Sequence, residues 1–168
     1  MPISLELIGR VVAALAVAFL ISLILTPVVR TLAVKMGAVD DPRRRNDPER
    51  RMHDHPVPRM GGLAIVMGFL LSTLVFLPLN GQLQRVLLGA VIIVVMGIFD
   101  DIYDLSAKLK LVGQIIAALI VTVGEGGMAI EALSNPNIFS SNPYWVLGWL
   151  SVPVTVVWIV GMTNAVNL

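Results

Sequence analysis

Apolar residues gather along this chain into five runs, Leu5–Val34, Gly61–Leu79, Val86–Phe99, Leu111–Val123 and Tyr144–Met162. A helix that crosses a bilayer needs about 20 consecutive apolar residues. The first, second and fifth runs meet that length. The third and fourth fall short unless they recruit Gln82–Arg85 and Ala107–Lys110, which predicts helices over 83–99 and 107–123. Re-entrant or interfacial helices are the alternative for those two. The first run is too long for a signal peptide, has no basic start, and lacks a small-residue cleavage site before Arg30, so it reads as a retained span. The predicted fold is all-α: a polytopic transmembrane bundle of about five spans, forming one membrane domain over residues 1–168.

Composition agrees. The chain is 57% hydrophobic and 14% charged, with a mean hydropathy of +0.86, whereas soluble domains carry about a quarter charged residues. There is no cysteine, which excludes disulfides and thiolate metal sites. The net charge of +1 is uninformative, but its distribution is not. Arg30, Lys35, Arg43, Arg44, Arg45, Arg50, Arg51 and Arg59 lie between the first two runs, and Lys108 and Lys110 between the third and fourth. Only Arg10 and Arg85 fall on the opposite side. The positive-inside rule then puts the N-terminus outside and loops 35–60 and 100–110 in the cytoplasm. The 124–143 segment, with Glu125 and Glu131, is predicted to be external.

The inner loops are also acidic. Asp40, Asp41, Asp47, Glu49, Asp54, Asp100, Asp101 and Asp104 all lie on that side. Those among the arginines read as solvated ion pairs, each worth little. The string Asp100–Asp101–Ile102–Tyr103–Asp104 directly follows an apolar run. If the helix continues through it, Asp100 and Asp104 share a face one turn apart. Clustered carboxylates repel one another unless a cation joins them. Mg2+ suits such a place, because it takes one or two carboxylates plus phosphate oxygens. An acidic cap held by Lys108 and Lys110 is the bland alternative.

Two further segments carry polar groups to the same membrane face. In His53–Asp54–His55–Pro56–Val57–Pro58–Arg59–Met60–Gly61–Gly62 the prolines stiffen the path. Gly61 and Gly62 open the second run, where free N–H groups favour an anion, and Arg59 adds a planar fork suited to phosphate. A rigid turn that merely enters the membrane is the alternative. His53 and His55 suit a substrate or structural role better than a metal. Asn164 and Asn167, three apart, close the fifth run. Polar residues at membrane depth suggest a site, although on the residues alone helix–helix hydrogen bonding is the favoured reading.

Taken together, these strings resemble a known family. Val39–Asp40–Asp41–Pro42, Arg51–Met52–His53 and Pro56 through Gly62 resemble its first cytoplasmic loop. Phe99 through Lys110, followed by Gln114, resembles the second, and Asn164–Ala165–Val166–Asn167–Leu168 the start of the third. The family is the polyprenyl-phosphate N-acetylhexosamine-1-phosphate transferases, the WecA/TagO/MraY group of glycosyltransferase family 4. Pro58–Arg59–Met60–Gly61–Gly62 is closer to the WecA/TagO branch.

The resemblance implies transfer of N-acetylglucosamine-1-phosphate from a UDP-sugar to undecaprenyl or another polyprenyl phosphate. UMP is released, and cell-envelope polysaccharide synthesis begins. It implies Mg2+, with Mn2+ as a substitute, and an inner-membrane location with the active face cytoplasmic. It implies catalytic and metal roles for Asp100 and Asp101. Substrate contacts would come from His53, Arg59, Gly61, Gly62, Asp104, Lys108, Asn164 and Asn167. Partners are the two substrates and membrane lipid, with no nucleic acid; a homodimer is left open. Family members continue past this asparagine string into an Asp-Gly-x-Asp-Gly segment, more spans and a His-rich loop. The chain therefore reads as an N-terminal fragment that does not catalyse alone. The rival readings are a polyprenyl-phosphate-binding subunit, and a transporter, which the cytoplasmic placement of the carboxylates disfavours. A CDP-alcohol phosphotransferase lacks support because its Asp-Gly-x-x-Ala-Arg string is absent.

Overall fold

The computed structural model describes residues 4–40, 57–58, 60–137 and 141–166. In chain order they form α1 (Leu5–Lys35), β1 (Val39–Asp40), β2 (Val57–Pro58), α2 (Gly61–Phe76), α3 (Gly81–Tyr103) and α4 (Ala107–Thr122). These are followed by β3 (Ala132–Ser134), β4 (Tyr144–Val146), a 3-10 turn (Gly148–Leu150) and α5 (Ser151–Val166). Among the described residues, three helical stretches are long and apolar enough to cross a membrane: Leu5–Lys35, Gly81–Tyr103 and Gly148–Val166.

Helix lengths differ from those read off the apolar runs. The third run recruits its N-terminal flank as expected, and the helix extends beyond the expected 83–99 to Gly81–Tyr103, continuing through Asp100. The second, expected to reach Leu79, stops at Phe76 after 16 residues. The cause is Pro78: a residue before proline is pushed out of the α region, and Leu77 is extended, with φ −114° and ψ 141°. The fifth run does not begin as helix. Tyr144–Val146 is a strand, and α5 starts at Ser151.

The chain divides into two compact units, one made of residues 1–78 with 97–104, the other of 79–96 with 105–168. In the first, α1 and α2 pack antiparallel through small residues. A Cβ on Gly68 would lie 2.5 Å from the Ala18 carbonyl oxygen. One turn on, the Ser72 hydroxyl donates to the Ala14 carbonyl at 2.7 Å. At one end Arg10 donates to the Phe76 carbonyl at 3.3 Å. At the other, Val29, Ala33, Ala38, Met60 and Ala64 form a buried cluster, with Leu25, Leu63, Ile98 and Ile102 packed on it. No larger side chain among the described residues is fully buried. The outer face of α1 is apolar instead, with Phe19 and Ile24 each about two-thirds exposed, as suits hydrocarbon.

In the second unit α4 meets its neighbours through Gly113, Gln114, Ala117, Ala118 and Thr122, all buried. Small residues let helix backbones approach where no hydrophobic effect drives them together. Arg85, in the first turns of α3, caps the end of α4. Its guanidinium donates to the carbonyls of Glu125 at 3.0 Å, Ile120 at 3.3 Å, and Val123. Gly124 turns the chain there with φ +95°, and a Cβ on it would strike the guanidinium. Segment 128–130 is then tied back: Met128 N–H donates to Val121 O, and Ile130 N–H to the Thr155 hydroxyl at 2.7 Å. The hairpin β3–β4 follows, pairing Leu133 with Trp145.

Arg10 and Arg85, the two basic residues expected outside, thus both end on carbonyls at a helix C-terminus, where positive charge is stabilising. Gly68→Val is expected to lower the stability of the detergent-solubilised protein by about 1–3 kcal/mol, read as a fall in the unfolding midpoint. Arg85→Leu is expected to cost about 1–2 kcal/mol in the same assay, with Arg85→Lys intermediate because one ammonium cannot span three carbonyls.

Candidate functional site

Those polar residues singled out in the sequence that are described lie toward one end of their unit. In the first, the short ladder Val39↔Pro58 and Asp40↔Val57 brings the two ends of the long loop together. That ladder ties the end of α1, at Lys35, to the start of α2. Pro58 is tolerated there because a two-residue ladder is all edge. His53, His55 and Arg59 lie outside the described residues.

The last turns of α3 join this end. Ile98 and Ile102, four apart, share the face that packs on the Val29–Ala64 cluster. Helical geometry turns Asp100 to the opposite face and Asp101 to its flank. Both are half-buried. Phe99 and Tyr103 stack at 5.9 Å on another, exposed face.

The helix ends at Tyr103, before Asp104. Asp104 adopts φ +54° while its N–H still reaches the Asp100 carbonyl at 2.9 Å. This is the left-handed cap that ends many helices, usually on Gly or Asn; Asp tolerates it better than most residues. The expected stack of three carboxylates becomes an adjacent pair plus an exposed capping residue. Among the described residues no group of three or more His, Cys, Asp or Glu side chains could hold a metal. Asp100 and Asp101 remain as adjacent, half-buried carboxylates on the last turns of α3.

Gly61 and Gly62 are exposed at the start of α2. The N-cap, Met60, is buried and supplies no side-chain hydrogen bond. A Cβ at either glycine would meet nothing within 4 Å, and neither has a positive φ. Nothing in the described fold therefore requires glycine at either position. Open space beside free helix-start N–H groups suits an anion that approaches the backbone.

In the second unit, Lys108 is exposed in the first turn of α4, and Asn164 lies near the end of α5. Asn164 is bound to Gln114: its Nδ2 donates to Gln114 Oε1 at 2.7 Å and to the Val160 carbonyl at 2.8 Å. The helix–helix hydrogen bond that competes with a substrate role is thus present. Gln114, only 8% exposed, was given no role by the sequence reading. Its signal was there, as a lone amide inside the apolar run 111–123. Asn167 lies outside the described residues.

The chain is similar to known proteins over almost its whole length. Residues 83–168 match the family described as glycosyl transferase family 4. A probable undecaprenyl-phosphate N-acetylglucosaminyl 1-phosphate transferase of Bacillus subtilis is 42% identical over 161 residues, covering 95% of this chain and 42% of that protein. A phospho-N-acetylmuramoyl-pentapeptide-transferase of Desulfotalea psychrophila is 36% identical over 95% of this chain and 46% of its own length. A decaprenyl-phosphate N-acetylglucosaminephosphotransferase of Mycobacterium tuberculosis is 39% identical over 64% of this chain and 28% of that protein. The chain thus spans less than half the length of these relatives. No solved structure matches it.

The cap at Asp104 separates backbone need from carboxylate chemistry. Asp104→Gly and Asp104→Asn are expected to leave the unfolding midpoint unchanged or raise it. Asp104→Val is expected to cost about 1–2 kcal/mol of stability, because a β-branched residue resists positive φ.

Proposed function

The chain belongs to glycosyl transferase family 4, and from that membership we propose that the protein moves N-acetylglucosamine-1-phosphate from a UDP-sugar to undecaprenyl or a related polyprenyl phosphate, releasing UMP. The observation that supports the reading is that the last turns of α3, which carry Asp100 and Asp101, pack through Ile98 and Ile102 on the cluster beside the Gly61–Gly62 start of α2, at one end of a compact unit. A lipid phosphate lodged in the bilayer and a soluble sugar nucleotide can meet only at such an end. The 42% and 39% identities to N-acetylglucosamine-type enzymes support that sugar over the muramoyl pentapeptide. The ten-to-two split of basic residues supports a cytoplasmic active face in the plasma membrane.

The chemistry follows from the charges. An oxygen of the lipid phosphate attacks the β-phosphorus of the UDP-sugar. The bond from that phosphorus to the bridging oxygen breaks, and UMP leaves with the electron pair. A phosphate monoester has a second pKa near ~6, so the nucleophile is already largely a dianion at neutral pH. It needs positioning and relief from charge repulsion more than a strong base. Asp100 and Asp101 would hold Mg2+, whose charge offsets that of the pyrophosphate. The Gly61–Gly62 N–H groups, Arg59 and Lys108 would bind phosphate oxygens, with His53, Asp104, Asn164 and Asn167 contacting the sugar nucleotide.

The test is UMP release by the full-length protein in membranes, from UDP-N-acetylglucosamine with undecaprenyl phosphate. Release should need the lipid phosphate and stop with a Mg2+ chelator. Asp100→Asn and Asp101→Asn should each lower kcat by about 100-fold or more, as for loss of a group that stabilises transition-state charge. Turnover that persists without lipid phosphate, or survives both substitutions, sinks the proposal. Net retention at a chiral phosphorothioate donor would replace direct displacement with a two-step route through an aspartyl phosphate.

A further inference from the structure

We infer that Gln114 is a positioning residue that makes Asn164 an acceptor-only contact in the transferase site, an inference that rests on the function proposed above. An asparagine amide has two N–H donors and one carbonyl oxygen. Its orientation here is fixed by the backbone. The Val160 carbonyl can only accept, so the Asn164 atom 2.8 Å from it is the nitrogen. The second N–H of that nitrogen goes to Gln114 Oε1 at 2.7 Å. Both donors are then committed within the protein.

The oxygen is not committed to the same degree. Gln114 Nε2 reaches Asn164 Oδ1 only at 3.4 Å, a long and weak contact. Gln114 itself is buried, at 8% exposure, while Asn164 is exposed. The buried amide therefore cannot touch substrate, and the exposed one can. What Asn164 can offer a ligand is a carbonyl lone pair. Such a group accepts from a hydroxyl or N–H, or binds a hard cation, and it repels a bare phosphate oxygen. Without Gln114 the Val160 carbonyl still holds one Asn164 N–H, but the other is released toward a ligand, which ends the acceptor-only character.

Steady-state kinetics of the full-length protein, varying UDP-sugar, lipid phosphate and Mg2+ in turn, test this with three variants. Gln114→Leu should lower kcat/KM about tenfold, the effect of one misdirected polar contact. Gln114→Glu keeps the acceptor that holds Asn164 Nδ2 and should restore most of the loss. In an Asn164→Ala background, Gln114→Leu should have no further effect, since the two act as one unit. A shift in the KM for UDP-sugar means the oxygen faces a donor group of that substrate, and a shift in half-saturating Mg2+ means it faces the cation. A shift confined to lipid phosphate, or an equal loss in the Asn164→Ala background, overturns the inference. One readout needs no activity: the side-chain 15N resonance of Asn164, assigned by its loss in Asn164→Ala. Both Nδ2 protons should exchange slowly in the parent protein and in Gln114→Glu, and one of them fast in Gln114→Leu. Fast exchange in the parent overturns the inference, while slow exchange in a protein that releases no UMP leaves the amide pair standing and removes only the transferase reading.

Discussion

Polar groups in hydrocarbon have no water to pair with, and most of this structure follows from that constraint. Each unpaired carbonyl at a helix end costs free energy unless something reaches it. Arg10 and Arg85 do so for α2 and α4. Hydroxyls inside the helices bond back to carbonyls four residues earlier, as Thr26, Thr31, Thr122 and Thr163 all do. Ser72 reaches across to α1 and ties the two helices together. The buried amide of Gln114 is satisfied by another amide. The polar residues of these helices are thus largely spent on the fold before any ligand arrives.

The ends where polar groups remain available are set by the same packing. Ile98 and Ile102 anchor the last turns of α3 on the Val29–Ala64 cluster, and this holds Asp100 and Asp101 at the level of the Gly61–Gly62 helix start. The β1–β2 ladder fixes the two ends of the long loop beside them. A lipid phosphate and a sugar nucleotide both carry negative charge. Under the proposed function, helix-start N–H groups and adjacent carboxylates able to share a cation would answer that charge. The relatives in glycosyl transferase family 4 are named for transfers of this kind.

The amino-acid pattern determined a good deal alone. Five apolar runs give a membrane helix bundle, because transfer into hydrocarbon depends on composition over about 20 residues. Asp100, Asp101, Gly61 and Gly62 stood out because charged and flexible residues at the edge of an apolar run demand a reason. The end of α2 at Phe76 was also written in the sequence, in Pro78, although run length alone overshot it.

Other features needed the tertiary structure. Whether α3 continued through Asp104 depended on one backbone angle, and φ +54° ends the helix at Tyr103 with Asp104 as its cap. Gln114 had no structural partner in the sequence until α5 brought Asn164 to it across fifty positions. Arg10 and Arg85 looked like exceptions to a charge rule until their helix-end carbonyls came into view. Hydrophobic partition is a sum over neighbouring residues and can be read along the chain. A hydrogen bond depends on the distance between two groups, and for groups far apart in sequence only the fold sets that distance.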